Sequence, residues 1–290
     1  MSYNENSAKK YGWEPSWFGC TDFGPELTKA IQAFQKEYGL DDDGLCGPGT
    51  VRRLQTVREL EADEDVPPSP EGKDYIIVNG KRCPIAWDRV VTPNEPGAMI
   101  APEGTYRKHN GMRDVKMFVN HWDVCLTSKS CHKVLMNRGI SVHFLIDNDG
   151  TIYQTMDAND IGWHAGGRTL NNCTVGVEIT NAFYPKYQGW YTKRFGPRPV
   201  KEGVKLNGKS VETHLGFYPV QMQAAKALWE AIAAVYKIPL QTPTKDDGSE
   251  LAGVHYNASK GAYRGIVHHY NLTERKMDCA GFDLTKYIED

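Results

Sequence analysis

No stretch of the 290-residue chain approaches eighteen uninterrupted apolar residues, so no membrane insertion is expected. Residues 1–6, Met-Ser-Tyr-Asn-Glu-Asn, lack a basic segment leading into an apolar one, so no secretory address is visible and synthesis in the cytosol is expected. An excess of one charge is missing too. Thirty-four Lys and Arg against thirty-six Asp and Glu leave a net charge of −2, which argues against a nucleic-acid footprint or attraction to an anionic membrane. Paired cysteines are also absent: Cys20, Cys46, Cys83, Cys125, Cys131, Cys173 and Cys279 are odd in number, scattered and without a C-x-x-C. Neither a disulfide framework nor a zinc ribbon is therefore the default, and only Cys125 and Cys131 are close enough in sequence to suggest a local bridge. What is present, 40% hydrophobic and 24% charged residues, is the balance of a globular protein with length for one sizeable core and a smaller unit.

The first sixty residues read as that smaller unit. Leu27, Ala30, Ile31, Phe34 and Tyr38 recur at helical spacing as one apolar stripe, Gly39 follows as a stop, and Thr50 opens another helix. The Asp41-Asp42-Asp43-Gly44 turn lacks the glutamate an EF-hand needs at its twelfth position, so calcium is not expected. An acidic run from Glu61 and a proline-rich run to Gly72 should extend rather than pack, placing a linker at 61–74 and a second domain at 75–290.

In that second part, Tyr75–Arg82 reads as a strand entering an Asn-Gly hairpin. Met117–Asp123 is a buried strand, Ser141–Tyr153 a strand, turn and strand, Thr174–Thr180 a strand with one acid, and Gly265–His269 the last strand. Pro219–Tyr236 is an amphipathic helix. Residues 183–217 and 240–264 read as long loops or hairpins. The expected class is α/β (α+β): a mixed central sheet covered by helices, preceded by a small helical bundle.

The chemistry gathers at strand ends. His121 closes the Met117 strand, Glu178 sits inside an apolar strand where an unpartnered carboxylate is costly, and His268-His269 is followed by Asp278-Cys279. Zinc hydrolases use three ligands drawn from His, Cys and carboxylate, an open position for water, and a base beside it. Adjacent strand residues face opposite ways, so one of His268 and His269 should reach an ion, and parity alone does not say which. Asp278 and Cys279 compete for one position in the same way.

The string AIQAFQKEYGLDDDGLCGPGTVRRL resembles the peptidoglycan-binding type 1 domain, a three-helix unit. NHWD, SVHFLIDNDGTIYQ, GWHAGG, TVGVEITN and HHYNLTERKMDCAGFDL, in this order, resemble the zinc-dependent N-acetylmuramoyl-L-alanine amidase type 2 family. Together they are similar to modular bacteriophage endolysins. The resemblance implies bacterial peptidoglycan as partner, Zn2+ as cofactor, a monomer, and action on the cell wall after release from the host cytoplasm. Carried over position by position, it implies His121, His268 and Asp278 as metal ligands, with Cys279 as the alternative to Asp278. Glu178 matches the catalytic acid and Lys276 the cation near the scissile carbonyl. Trp163 and His164 should line the substrate cleft. Where some members carry a catalytic tyrosine this chain has Val142. A non-catalytic muropeptide receptor and an amidase of soluble anhydro-muropeptides are the competing readings, while His132, His214 and His255 are expected at the surface or in structural roles.

Overall fold

The computed structural model describes residues 1–62, 66 and 68–288. Three helices open the chain: Tyr3–Tyr11, Pro25–Glu37 and Pro48–Ala62. The first has no strong apolar stripe. It is set by a capping box, the Ser2 hydroxyl accepting from Glu5 N while the Glu5 carboxylate accepts from Ser2 N, and by Gly12 at its end. Leu27, Ile31 and Val51 pack with Tyr11, Trp13 and Cys46 in the core of this unit. Its polar loop closes on side chains: Asn4 bonds Gly44 O and Cys46 N, and Gln35 bonds Asp43 and Leu45 O.

The second part is built on a six-stranded mixed sheet, and the expected class holds. In spatial order the strands are Gly265–His268, Met117–Trp122, Thr174–Ile179, Phe144–Ile146, Ile152–Gln154 and Val90–Val91. The first four run parallel to their neighbours, and only Phe144–Ile146 with Ile152–Gln154 is antiparallel. Strands buried on both faces explain the near-continuous apolar runs at 117–119 and 174–177. One face carries Phe118, Val175, Val177 and Ile266 and packs on the Pro219–Tyr236 helix, led by Leu228, Trp229 and Ile232. The other face carries Leu145, covered by Val134 and Leu135 of the Ser128–Arg138 helix, and Met117, Val119 and Val267 in a smaller cluster. The expected hairpin pairs Tyr75–Val78 with Lys81–Pro84 across Asn79 and Gly80, both at positive φ. The long segment at 183–217 contains a helix, Gln188–Phe195, and two short strand pairs. No helix among the described residues is long and apolar enough to cross a membrane.

The linker expectation is corrected where it can be followed. Residues 63–65 and 67 lie outside the described residues. The segment after them packs: Lys73 bridges Val90, and Gly72 lies so close to Arg89 that a Cβ there would meet its backbone at 2.3 Å. The helical unit is also joined to the sheet domain. Glu59 accepts from Ser130 Oγ at 2.5 Å, Tyr184 Oη donates to Tyr38 O at 3.1 Å, and the Arg53 guanidinium stacks 4.0 Å over the Tyr184 ring.

Candidate metal centre and cleft

The register of the parallel strands decides which side chains meet. Gly265 lies beside Met117 and Val267 beside Val119, so the same alternation sets position 269 beside His121, on one face. His121 in turn lies beside Glu178. Three neighbouring chain segments therefore deliver His269, His121 and Glu178 in a row at the carboxyl ends of parallel strands, the place where open α/β sheets bind ligands. His268, one residue earlier, shares the opposite face with Ile266.

That parity corrects the second ligand. His121 Nδ1 lies 2.9 Å from His269 Nδ1 and 3.1 Å from Asp278 Oδ2, and His269 Nδ1 lies 2.9 Å from the same oxygen. His268 Nε2 instead donates to Phe282 O at 2.8 Å, with its ring packed against Tyr270 and Phe282. Asp278 joins the two imidazoles, whereas Cys279 is buried in the main core, where burial drives its thiol far up. The cluster among the described residues is thus His121, His269 and Asp278.

Protons can be placed from the outer contacts. Thr174 Oγ1 donates to Leu170 O at 2.9 Å, since a carbonyl only accepts, and its oxygen is then free to accept from His164 Nε2–H at 3.3 Å. His164 Nδ1 must therefore accept from His121 Nε2–H at 3.0 Å. This chain leaves His121 Nδ1 as a lone pair aimed at the space it shares with His269 and Asp278. His164 is held hard against the sheet, because a Cβ on Gly176 would meet its ring at 2.5 Å. His164 lines the cleft, and by accepting from His121 Nε2–H it also fixes the tautomer of His121.

Electrostatics follow from burial. His121 falls to about 4, first through burial and then through the neighbouring His269. Burial works to raise Asp278, but the His269 and His121 imidazoles overcome it and hold the carboxyl well below its usual range. Glu178 is pushed up to about 8 by burial and by the Asp278 and Asp123 carboxylates, with Arg52 and Lys276 opposing. Its Oε2 is buried with no hydrogen-bond partner, so the strand acid is not the anchor of a salt bridge. The residues fit a divalent cation: two imidazole nitrogens and a carboxylate oxygen are a zinc-type donor set. A tetrahedral ion with bonds of about 2.0–2.1 Å sets its ligands about 3.3 Å apart, close to the separations here.

The centre opens into a cleft of about 370 Å³ that also contains Trp163, Lys276, Arg275, Arg52, Arg53 and Arg138. Trp163 is 39% exposed at the rim, and Lys276 is exposed. Val142 is buried and supplies no hydroxyl. Val124 and Phe183, at the cleft edge, adopt φ of 56° and 71°, strained for non-glycine residues and concentrated where function would use them. The three histidines expected outside the site make local contacts: His132 bonds Ile100 O, His214 bonds Glu212 O and Ala280 O, and His255 caps the Tyr256–Ser259 turn. Cys125 and Cys131 are both buried free thiols.

The fold and the cluster define a candidate mononuclear metal centre at the edge of a mixed sheet. Residues 111–281 match the N-acetylmuramoyl-L-alanine amidase family, and the chain belongs to it. Residues 10–54 match a putative peptidoglycan binding domain, which precedes the amidase domain. A 71-residue segment is 35% identical to the N-acetylmuramoyl-L-alanine amidase CwlM of Mycobacterium tuberculosis, covering 20% of this chain and 18% of that protein. Among solved structures, the endolysin amidase LysCS from Clostridium intestinale is 18% identical (64% of this chain, 83% of that chain, TM-score 0.35). The Ph2119 endolysin from a Thermus scotoductus bacteriophage is 15% identical (69% and 96%, TM-score 0.38). The amidase AmiD from E. coli, solved with anhydro-N-acetylmuramic acid-L-Ala-D-gamma-Glu-L-Lys, is 20% identical (45% and 48%, TM-score 0.31). The chain thus spans under a fifth of the curated relative and just under half of AmiD.

Proposed function

We propose that the chain hydrolyses the amide joining the lactyl group of N-acetylmuramic acid to L-alanine in bacterial peptidoglycan, with zinc as its metal. The observation that carries this reading is the convergence of His121, His269 and Asp278 beside Glu178, whose buried Oε2 has no hydrogen-bond partner. His121 Nδ1, His269 Nδ1 and Asp278 Oδ2 are the atoms that would hold the ion. Bound there, zinc supplies Lewis-acid polarisation of the scissile carbonyl and lowers the pKa of water towards about 7.

The remaining work belongs to the chain's own groups. Glu178 takes the proton of the attacking water and returns it to the leaving amine nitrogen. Its high proton affinity suits the second half of that exchange, and a cation beside it suits the first by favouring the carboxylate. Lys276, exposed on the rim, donates to the carbonyl oxygen as negative charge develops there. His164 keeps the His121 ring turned so that Nδ1 stays unprotonated. Trp163 offers an aromatic face to the substrate at the mouth.

The wall-binding domain favours polymeric wall over soluble muropeptide as the substrate, and action on the wall from the inside of a lysing host is the matching setting. The ligand solved with AmiD continues past L-alanine through a D-γ-glutamyl residue, a linkage that leaves the α-carboxylate of that ligand free. Mass spectrometry of digested wall tests the reading: new L-alanine amino termini without new reducing sugar support it. Binding of wall with no such termini would favour a receptor instead.

A further inference from the structure

Two half-buried cations in the cleft have no contact assigned to them in that chemistry. Arg52 projects from the Pro48–Ala62 helix of the wall-binding unit, and Arg138 ends the Ser128–Arg138 helix of the amidase domain. Both are partly buried and both line the cleft that contains His121, Glu178 and Asp278. Among the described residues neither guanidinium has a hydrogen-bond or ion-pair partner, in contrast to Arg53, which reaches Tyr187 Oη and stacks on Tyr184. Each repels the other, and burial lowers the proton affinity of Arg138. Like charges held together, partly desolvated and unpaired, are unfavourable until an anion sits between them. Glu178 is near enough for both arginines to feel its charge, yet it makes no hydrogen bond or ion pair with either, which leaves both forks open to a further anion. A planar fork on each of two converging helices suits a carboxylate, which can accept from both.

We infer that Arg52 and Arg138 together receive a carboxylate of the peptide that follows the scissile amide, so that the helix of the wall-binding unit forms one wall of the catalytic cleft. This rests on the amidase reading above. The unit is then more than a tether: the seam through Glu59–Ser130, Tyr184–Tyr38 and Arg53–Tyr184 holds Arg52 at a fixed place over the centre.

The test uses two muramyl-L-alanyl-γ-D-glutamyl peptides that differ only in a free α-carboxylate or an α-carboxamide. Arg52→Gln and Arg138→Gln in the full chain should each raise KM for the carboxylate roughly tenfold, leave kcat within about threefold, and leave the carboxamide unchanged. Arg58→Gln, on the exposed side of the same helix, should change neither. Equal losses on both peptides, or a fall in kcat at constant KM, would overturn the inference and assign the arginines to Glu178 or to the seam. Should Arg52→Gln fail to fold, Arg138→Gln carries the same comparison. If the native chain cleaves neither peptide, the amidase reading fails by itself. Calorimetric binding of the two peptides then decides the inference: a preference for the carboxylate that Arg138→Gln erases upholds it, and equal affinity overturns it.

Discussion

The two faces of the central sheet meet the same problem, polar side chains at the carboxyl end of buried strands, and solve it in opposite ways. On the face covered by the Pro219–Tyr236 helix these polar side chains make separate contacts with the core, and only His268 Nδ1 among them is left without a partner. Asn120 accepts from Trp229 Nε1 at 2.8 Å, and His268 donates to Phe282 O at 2.8 Å. On the other face His121 Nδ1, His269 Nδ1 and Asp278 Oδ2 converge on one another, and Glu178 leaves an oxygen without a partner. Polar groups that each find a separate partner build a core, whereas those that converge on one another build a site. His268 and His269, adjacent in sequence, fall on either side of that division.

The sharpest way to break the comparison is to remove each histidine in turn. His269→Ala should abolish amine release from wall together with metal retention, measured by elemental analysis of the purified protein. Glu178→Gln comes next in effect, with turnover falling by about 10²–10⁴-fold while metal content stays native. A Glu178→Gln protein that lyses wall at the native rate would refute the role given to that residue. His164→Ala removes the acceptor that fixes the His121 tautomer and should weaken metal affinity about 10–100-fold, read by competition with a chelator.

The helix-covered face should respond in stability and not in chemistry. His268→Ala is expected to cost about 1–3 kcal/mol in denaturant unfolding, through the lost contact to Phe282 O and a partly filled cavity, with kcat within severalfold of native. The smallest effect is one of pH. In metal-free protein Glu178 has a folded pKa of about 8, above its unfolded value near 4.5, so the folded state keeps a proton that the unfolded state releases. Stability should therefore fall as pH rises from about 4.5 to about 8. Glu178→Gln should flatten that slope and gain on the order of 1–3 kcal/mol at pH 8, measured by thermal unfolding across the range.

Much of this was legible in the sequence. The apolar runs gave the strands, the Asn-Gly pair gave the hairpin, and ordered motifs gave His121, Glu178 and Asp278. The choice between His268 and His269 was not legible locally, because parity within one strand has no absolute sign until its register against Met117–Trp122 is known. Once Val267 is seen beside Val119, His269 follows. Arg52 and Arg138 were missed for a different reason: they lie on helices of different domains, and no local pattern encodes their meeting. The stretch after the proline run was expected to extend, yet Gly72 lets it press against Arg89, a close approach that composition does not reveal.

Whether His121 Nδ1, His269 Nδ1 and Asp278 Oδ2 share one divalent ion is decided by zinc stoichiometry in His268→Ala and His269→Ala. About one zinc per chain is expected in the native protein and in His268→Ala, and close to none in His269→Ala. Full zinc in His269→Ala with loss in His268→Ala would contradict it.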